Sequence, residues 1–261
     1  MKKYLASLLA LVMCLSLLAA CGDPGGATSG APGSNPPASQ AIDPDKQGST
    51  AVTIGYVGGH YACYPSSANS DDFIQQGMVY DKLFEVDDNT GEYTSRVLSS
   101  WEWADDQTLV MTLKDGITFS DGKQMTAEDV LFSIRNYIDQ GETTDKYQYF
   151  QYIDFDASTI SEDGMTLTLV YQFPYGPAER TLNCSIMQKE FTQAHDNADQ
   201  IWYTGPVGSG PYEITDCVQD SYVTFTLRDD YWNTDYTYDA TEITLRFYTD
   251  ETAMYIDYQA G

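Results

Sequence analysis

Apolar and polar residues alternate in several short segments of the chain, and a period of two is typical of β-strands. The first such segment, residues 51–59, has Val52, Ile54 and Tyr56 at alternate positions and ends at a Gly-Gly pair. In residues 107–122, a turn at Asp115-Gly116 predicts a hairpin whose second strand contains Ile117 and Phe119. Further strands are predicted in residues 161–173, where Asp163-Gly164 indicates a second hairpin, and in residues 210–215, 221–232 and 240–249.

Three segments have the apolar spacing of helices. Residues 70–87 show it roughly, and residues 250–261 begin like a helix. The clearest helix starts after Thr126, a good N-cap, with Asp129 at the third helical position as in a capping box. Its apolar stripe is formed by Val130, Leu131, Ile134 and Ile138, and Gly141 is its predicted end. Hairpins mixed with a few helices predict an α+β fold with mixed sheets.

Three carboxylates, Asp121, Glu128 and Asp129, stand close together around the start of that helix. They raise the alternative of an acid/base site. However, Asp121-Gly122 lies where the segment ending at Phe119 must turn. Glu128 and Asp129 lie in the first helical turn, where the helix dipole stabilises negative charge. We therefore predict structural roles for all three carboxylates.

The N-terminal residues 1–20 have the pattern of an export signal, with two lysines followed by an apolar run too short to span a membrane comfortably. The ending LAAC at 18–21 resembles the lipobox of bacterial lipoproteins, which implies cleavage before Cys21 and a lipid on its sulfur. Residues 21–50 are rich in Gly, Pro and Ser, so we predict a flexible tether. The expected arrangement is a body, residues 51–261, anchored at the extracellular face of the cytoplasmic membrane, or on the periplasmic side in a Gram-negative cell.

The composition is strongly acidic. The 261 residues include 13 Lys and Arg against 39 Asp and Glu, a formal net charge of −26. This charge disfavours nucleic acids and adsorption to an anionic membrane surface as partners. Beyond the signal and Cys21, the cysteines are Cys63, Cys184 and Cys217. An exported protein permits a disulfide, and the pairing among these three residues stays open.

Motifs for catalysis and metal binding are missing from the sequence. It contains no C-x-x-C, no H-E-x-x-H, no Walker phosphate loop and no complete dinucleotide fingerprint. Residues 87–93 are rich in oxygen ligands but lack the EF-hand spacing, so a hairpin turn is predicted there. A carboxylate pair for glycoside hydrolysis stays open among 39 acids. We expect no enzyme, no cofactor and no metal site, with a secreted carboxylate-dependent hydrolase as the alternative.

Residues 99–136 closely resemble the signature region of the family 5 extracellular solute-binding proteins, the oligopeptide-, dipeptide- and nickel-binding components of ABC importers. The matching positions are Trp101, Asp106, Leu113, Gly116, Phe119, Asp121, Gly122, Thr126, Ala127, Asp129, Val130 and Ser133. Residues 207–214 resemble the second marker of the family, G-T-G-P-Y, with Ser209 in place of threonine. The lipobox and the tether are also as expected for the family.

The resemblance implies a lobe like that of type II periplasmic binding proteins, with an inserted subdomain of about residues 66–200. The chain resembles the N-terminal portion of such a protein, with the second lobe missing. Family membership implies hinge closure on a peptide or similar small solute and delivery to the transmembrane subunits of an ABC permease. The ligand itself (oligopeptide, dipeptide, nickel or another solute) stays open, and a non-functional truncated fragment is a further alternative.

The same resemblance implies that the loop after the first strand lines the ligand cleft. His60, Tyr61 and Tyr64 in this loop are therefore candidate ligand contacts. Tyrosine rings stack on or hydrogen-bond an extended ligand, and a histidine can contact a carboxylate or a metal. The alternative for each of these residues is a packed loop side chain.

Overall fold

The structure is a computed structural model that describes residues 50–60, 62–66, 73–87, 90–142, 144, 146–176 and 178–260. The predicted signal, Cys21 and all of the predicted tether before residue 50 lie outside these ranges. In the part of the chain that is described, no helix has the length and apolar character needed to cross a membrane.

Ten strands and seven helices follow one another along the described residues. In chain order they are β1 (Thr50–Val57), α1 (Phe73–Val79), β2 (Glu85–Val86), β3 (Tyr93–Thr94), β4 (Leu98–Trp103), β5 (Thr108–Leu113), α2 (Ala127–Asp139), α3 (Tyr147–Phe150), β6 (Ile153–Ile160), β7 (Thr166–Tyr171), α4 (Ala178–Thr181), α5 (Lys189–Ala194), α6 (Ile201–Thr204), β8 (Tyr212–Val218), β9 (Tyr222–Leu227), β10 (Ala240–Tyr248) and α7 (Glu251–Ala260).

The first strand belongs to a mixed sheet with the order β1-β10-β9-β8. Strand β1 pairs with β10 in parallel, and the other two pairs are antiparallel. Apolar residues of β8, β9 and β10 form a core on one face, with Val223 and Phe225 fully buried. Helices α1 and α6 pack near β8, while α7 contacts β1 and β10. The predicted strands in residues 51–59, 210–215, 221–232 and 240–249 are confirmed, as is the predicted C-terminal helix.

A second, antiparallel sheet has the order β4-β5-β7-β6 and lies between β1 and β8 in sequence. Its core includes Leu109, Met111 and Leu169, which alternate with less buried residues as the sequence predicts. Strands β6 and β7 form the predicted hairpin, which turns before residue 165. Strands β2 and β3 form an antiparallel ladder, and Gly91 N–H donates to Asp87 O at 2.7 Å, so the hairpin turn predicted in residues 87–93 is also confirmed.

Helix α2 packs on the antiparallel sheet through the predicted apolar stripe, in which Val130 and Ile134 are buried. At its start, the Asp129 carboxylate accepts hydrogen bonds from the backbone N–H and the hydroxyl of Thr126, both at 2.9 Å. The second Asp129 oxygen accepts the backbone N–H of Lys189 at 2.8 Å. Asp129 therefore caps the helix and ties it to α5, which explains a buried carboxylate without chemistry.

The predicted hairpin between β5 and the segment of Ile117 and Phe119 is wrong. Strand β5 pairs with β4 on one edge and β7 on the other, so neither edge is free for a further strand. Ile117 and Phe119 are fully buried in the core and instead face the returning chain, where Phe119 N–H donates to Lys123 O at 2.9 Å. That smaller loop turns at Gly122, whose φ of 81° lies in the left-handed region.

Candidate functional site

The carboxyl ends of β1 and β10 meet at one edge of the mixed sheet, because these strands run parallel. The backbone N–H of Gly58, just after β1, donates to Tyr248 O at the end of β10 with a distance of 3.1 Å. In open sheets with parallel strands, ligands bind beside the carboxyl ends of strands. The loop that leaves this edge contains all three predicted ligand contacts.

His60 lies inside the protein at this edge, with only 5% of its surface exposed. Its ring stacks on Phe247 of β10 with a centroid distance of 5.8 Å, and Tyr203 of α6 contacts it edge-on at 5.5 Å. Burial lowers the pKa of His60, and the nearby Asp220 carboxylate opposes this shift. The Nε2 atom is buried and has no hydrogen-bond partner among the described residues.

Tyr64 is also buried, but its hydroxyl group has hydrogen-bond partners within the fold. Its hydroxyl donates to Asn136 Oδ1 at 3.1 Å and accepts from Gln140 Nε2 at 3.2 Å. Its ring contacts Trp202 edge-on, with centroids 4.7 Å apart. Tyr64 thus ties the loop to α2 and α6 in the manner of a packed core tyrosine.

The structure does not show His60 and Tyr64 in contact with each other. They touch successive residues of α6, His60 through Tyr203 and Tyr64 through Trp202. The third predicted contact, Tyr61, and the predicted lipid-bearing Cys21 lie outside the described residues. The role of His60, Tyr61 and Tyr64 as ligand contacts stays a prediction.

A buried carboxylate that the sequence does not reveal is Asp81, two residues after the end of α1. Its carboxylate accepts hydrogen bonds from Tyr231 Oη at 3.1 Å and Trp232 Nε1 at 2.9 Å, and its backbone N–H donates to Ser209 Oγ at 3.3 Å. Burial raises the pKa of Asp81, while the bonds from Trp232 and Tyr231 oppose that shift. One acid among 39 carries no sequence signal that it is buried.

The two segments that carry the family resemblance meet in space through Arg228, which follows β9 and is 6% exposed. Its guanidinium donates to Phe119 O at 3.2 Å and to Gly210 O at 3.1 Å. Ser120 N–H also donates to Gly208 O at 2.8 Å. Residues 208–210, called the marker turn below, are therefore joined to the segment of Phe119 and Ser120 both directly and through Arg228.

Close packing explains why the marker turn contains glycines. A Cβ atom on Gly208 would lie 2.0 Å from Val79 O, and one on Gly210 would lie 2.6 Å from Met78 O. The backbone of the turn thus lies directly on the end of α1, where Gly210 N–H donates to Val79 O at 2.8 Å. Ser209 is fully buried between them and bonds Asp81 and Trp232.

The described residues contain no group of three or more His, Cys, Asp or Glu side chains placed to hold a metal ion. Of the three cysteines they include, Cys63 and Cys184 are buried in different cores and Cys217 is partly exposed. At the strand edge, the described part of the loop thus places one buried histidine between the rings of Phe247 and Tyr203.

Comparison with curated proteins gives relatives that bind small solutes. The nickel-binding protein NikA of Staphylococcus aureus is 30% identical over 152 residues, which are 58% of this chain and 28% of the relative. The dipeptide-binding protein of Escherichia coli is 27% identical over 177 residues, covering 60% of this chain and 33% of the relative. The chain thus spans about a third or less of the length of these relatives.

Solved structures share the fold at lower identity. NikZ from Campylobacter jejuni, in complex with Ni(L-His), has a TM-score of 0.70 and 18% identity, covering 81% of this chain and 42% of that protein. DppA from Helicobacter pylori, in complex with the peptide STSA, has a TM-score of 0.68 and 18% identity, with 81% and 45% covered. The fold is that of part of a type II periplasmic-binding-protein lobe, as the resemblance implied.

The family model described as bacterial extracellular solute-binding proteins, family 5 Middle, matches residues 92–261. This match covers most of the described chain, including both marker segments and the whole antiparallel sheet. The relatives are solute-binding proteins rather than enzymes. The chain belongs to the family 5 bacterial extracellular solute-binding proteins.

Proposed function

We propose that this chain serves as the lipid-anchored substrate-binding component of an ABC importer, capturing peptides or a similar small solute outside the cell. It would deliver the solute to the transmembrane permease subunits. The family match over residues 92–261 is the observation that carries this proposal. One relative is named for nickel binding and another for dipeptide binding, which supports a small solute as the ligand. These names do not decide between a metal and a peptide.

The proposed division of the chain into a lobe and an inserted subdomain is supported by the sheet topology. Strand β1 is completed by β8, β9 and β10, while the antiparallel sheet is formed from the residues between them. We infer that the mixed sheet belongs to the lobe and that the insertion is about residues 66–200. A hinge motion of the lobe would then carry the marker turn, the loop after β1 and α1 together. Gly210 N–H donates to Val79 O of α1 at 2.8 Å, and Gln76 Nε2 of α1 donates to Tyr64 O of the loop at 3.4 Å.

At the ligand-binding edge, His60 is the strongest of the three proposed contacts. Its Nε2 lacks a partner among the described residues, so a ligand oxygen would complete its hydrogen bonding. Tyr64 already uses its hydroxyl within the fold, so its contribution would be to hold the loop. Tyr61 is proposed as a contact on the sequence pattern alone.

Ligand binding is tested by thermal shift and calorimetry on the chain, and on any longer product of its reading frame, with peptide pools and Ni²⁺. A ligand at 100 times its Kd stabilises the folded state by about 2.7 kcal/mol, which is roughly 5–10 °C in Tm for a domain of this size. His60→Gln is expected to reduce the shift, while His195→Gln, outside this loop, serves as the matched control. Cleavage of a glycoside with no stabilising solute would instead support the hydrolase alternative.

The lipid anchor is tested separately, by expressing the chain with Cys21→Ala in a bacterial host. The unmodified chain is expected to incorporate labelled fatty acid and to sediment with membranes, and the variant to do neither. Equal labelling of both chains would refute the proposed anchor without bearing on solute binding.

A further inference from the structure

A shallow, open cavity lies at one end of the antiparallel sheet, where the β4–β5 connection meets the segment after β7. The cavity has a volume of about 390 Å³ and is lined by Trp103, Asp105, Asp106, Pro174, Tyr175 and Gly176. Two backbone hydrogen bonds join its walls: Tyr175 N–H donates to Asp106 O at 3.0 Å, and Tyr171 N–H donates to Gln107 O at 2.8 Å. The walls are therefore held in place by the sheet.

The aromatic side of this cavity is fixed by packing. The ring of Tyr175 stacks on Tyr171, with centroids 4.4 Å apart and an interplanar angle of 13°. Tyr171 is buried and lies 6.0 Å from the ring of Trp103, whose Nε1 donates to Glu179 at 3.4 Å. Because these neighbours restrict both rings, their π faces are preorganised.

The cavity is also lined by two exposed acidic residues, Asp105 and Asp106. The Asp105 carboxylate accepts the backbone N–H of Gln107 at 2.8 Å, and this bond lowers the pKa of Asp105, which therefore stays ionised at neutral pH. Asp106 adds a second carboxyl group, and none of the described lining residues is Lys or Arg. Negative charge beside aromatic faces favours a cation.

Two other places in the chain combine the same groups with an arginine. Arg96 pairs with Glu85 at 3.0 Å and lies over the ring of Tyr236 at 5.1 Å. Arg246 pairs with Asp257 at 2.9 Å and lies over the ring of Tyr248 at 5.9 Å. The cavity beside β4 has the carboxylates and the rings, but its described lining holds no cation from the chain.

We propose that this cavity binds an alkylammonium group, with the rings of Trp103 and Tyr175 contacting the cation and Asp105 and Asp106 supplying the negative field. The site lies on the antiparallel sheet rather than on the loop after β1, so it is independent of the proposed importer function. Its chemistry fits a free amine or quaternary ammonium compound as well as the end of a lysine side chain.

The test is a titration of the whole chain with tetramethylammonium chloride, followed by the four tryptophan indole N–H signals in a ¹H–¹⁵N spectrum. Trp103→Phe assigns the Trp103 signal. Saturable shifts of that signal with a Kd in the millimolar range are expected, and potassium chloride at equal ionic strength should not reproduce them. A blocked lysine derivative is titrated in parallel, and binding of the lysine derivative without tetramethylammonium would overturn the role of the rings.

Variants separate the two halves of the site. Tyr175→Leu and the double variant Asp105→Asn/Asp106→Asn are each expected to weaken binding at least about fivefold. Tyr236→Leu, at a ring already covered by Arg96, is the matched control and should leave the Kd unchanged. Unsaturable shifts, or a Kd in both site variants equal to that of the unmodified chain, would refute the proposal. If Tyr175→Leu fails to fold, the exposed aspartate pair decides the outcome.

Discussion

Substituting Gly208 by alanine tests the contact between the marker turn and the end of α1. The added Cβ would lie 2.0 Å from Val79 O and 2.7 Å from Val79 Cγ1. Real Cβ atoms essentially never approach another atom closer than 3.0 Å, so the two backbones must separate by about 1 Å. The hydrogen bond from Gly210 N–H to Val79 O, now 2.8 Å, is then stretched beyond bonding distance.

The magnitude follows from the groups that are disturbed. Overpacking a tightly filled site costs about 1–3 kcal/mol, and loss of one backbone hydrogen bond adds about 0.5–1.5 kcal/mol. The smaller entropy of the unfolded alanine chain offsets about 0.4–1 kcal/mol of this loss. We expect Gly208→Ala to lower the free energy of unfolding by about 2–3 kcal/mol, which is roughly 5–10 °C in Tm.

Thermal unfolding followed by circular dichroism, with urea unfolding as a second probe, measures this loss. Gly77→Ala is the matched control, because Gly77 lies exposed in α1 and a Cβ there meets no atom within 4 Å. That variant is expected to stabilise the protein by about 0.5–1 kcal/mol through helix propensity. A Gly208→Ala chain that melts within 1 °C of the unmodified chain would refute the close-packing argument.

Three further substitutions test other contacts. Arg228→Met should lower the free energy of unfolding by about 2–5 kcal/mol in urea, because it leaves the carbonyls of Phe119 and Gly210 buried without their donor. Arg135 is exposed, so Arg135→Met is the control and should lower it by less than about 1 kcal/mol. The pKa of His60 is lowered because the fold buries the neutral imidazole and disfavours its protonated form. The stability that the neutral ring contributes is therefore present above pH 6.5 and is lost as the pH falls toward the folded-state pKa. His60→Phe should flatten the decline in Tm from pH 7.5 to 5, and an unchanged decline would contradict this origin. Asp81 has a raised pKa, so ionising it costs more in the folded state than in the unfolded chain. The free energy of unfolding of the unmodified chain should therefore fall relative to that of Asp81→Asn as the pH rises from about 4. A difference that stays constant as the pH rises would show that burial does not shift the pKa of Asp81.

Local patterns were sufficient to predict most of the secondary structure. The alternation in β5, β7, β9 and β10 and the capped helix α2 are properties of contiguous residues, and the structure confirms them. Ile117 and Phe119 show where such reasoning stops. Their alternation predicts a strand, but whether a strand finds a partner depends on edges that β4 and β7 already occupy. Pairing between distant segments has no local signature.

The candidate site was predictable only as a location. The glycine pair after β1 indicated the loop, but the burial of His60 depends on Phe247 and Tyr203, which are far away in sequence. Asp81 is a stronger case, because its partners Tyr231 and Trp232 lie about 150 residues later. Such burial arises from tertiary packing, which a pattern of apolar positions does not encode residue by residue.

The parallel pairing of β1 with β10 also constrains the order in which the chain can fold. Thr53 pairs with Thr244, roughly 190 residues away, whereas β6 and β7 are joined by a short turn. Closing so long a loop is entropically costly, so hairpins of the antiparallel sheet can form first and bring the distant segments nearer. In the mixed sheet β1 pairs with β10 alone. Before β10 is in place, β1 and its apolar residues Val52 and Ile54 therefore have no strand partner in that sheet. We therefore expect the first strand of the body to dock late, and we expect aggregation through its unpaired edge to compete with folding until it does.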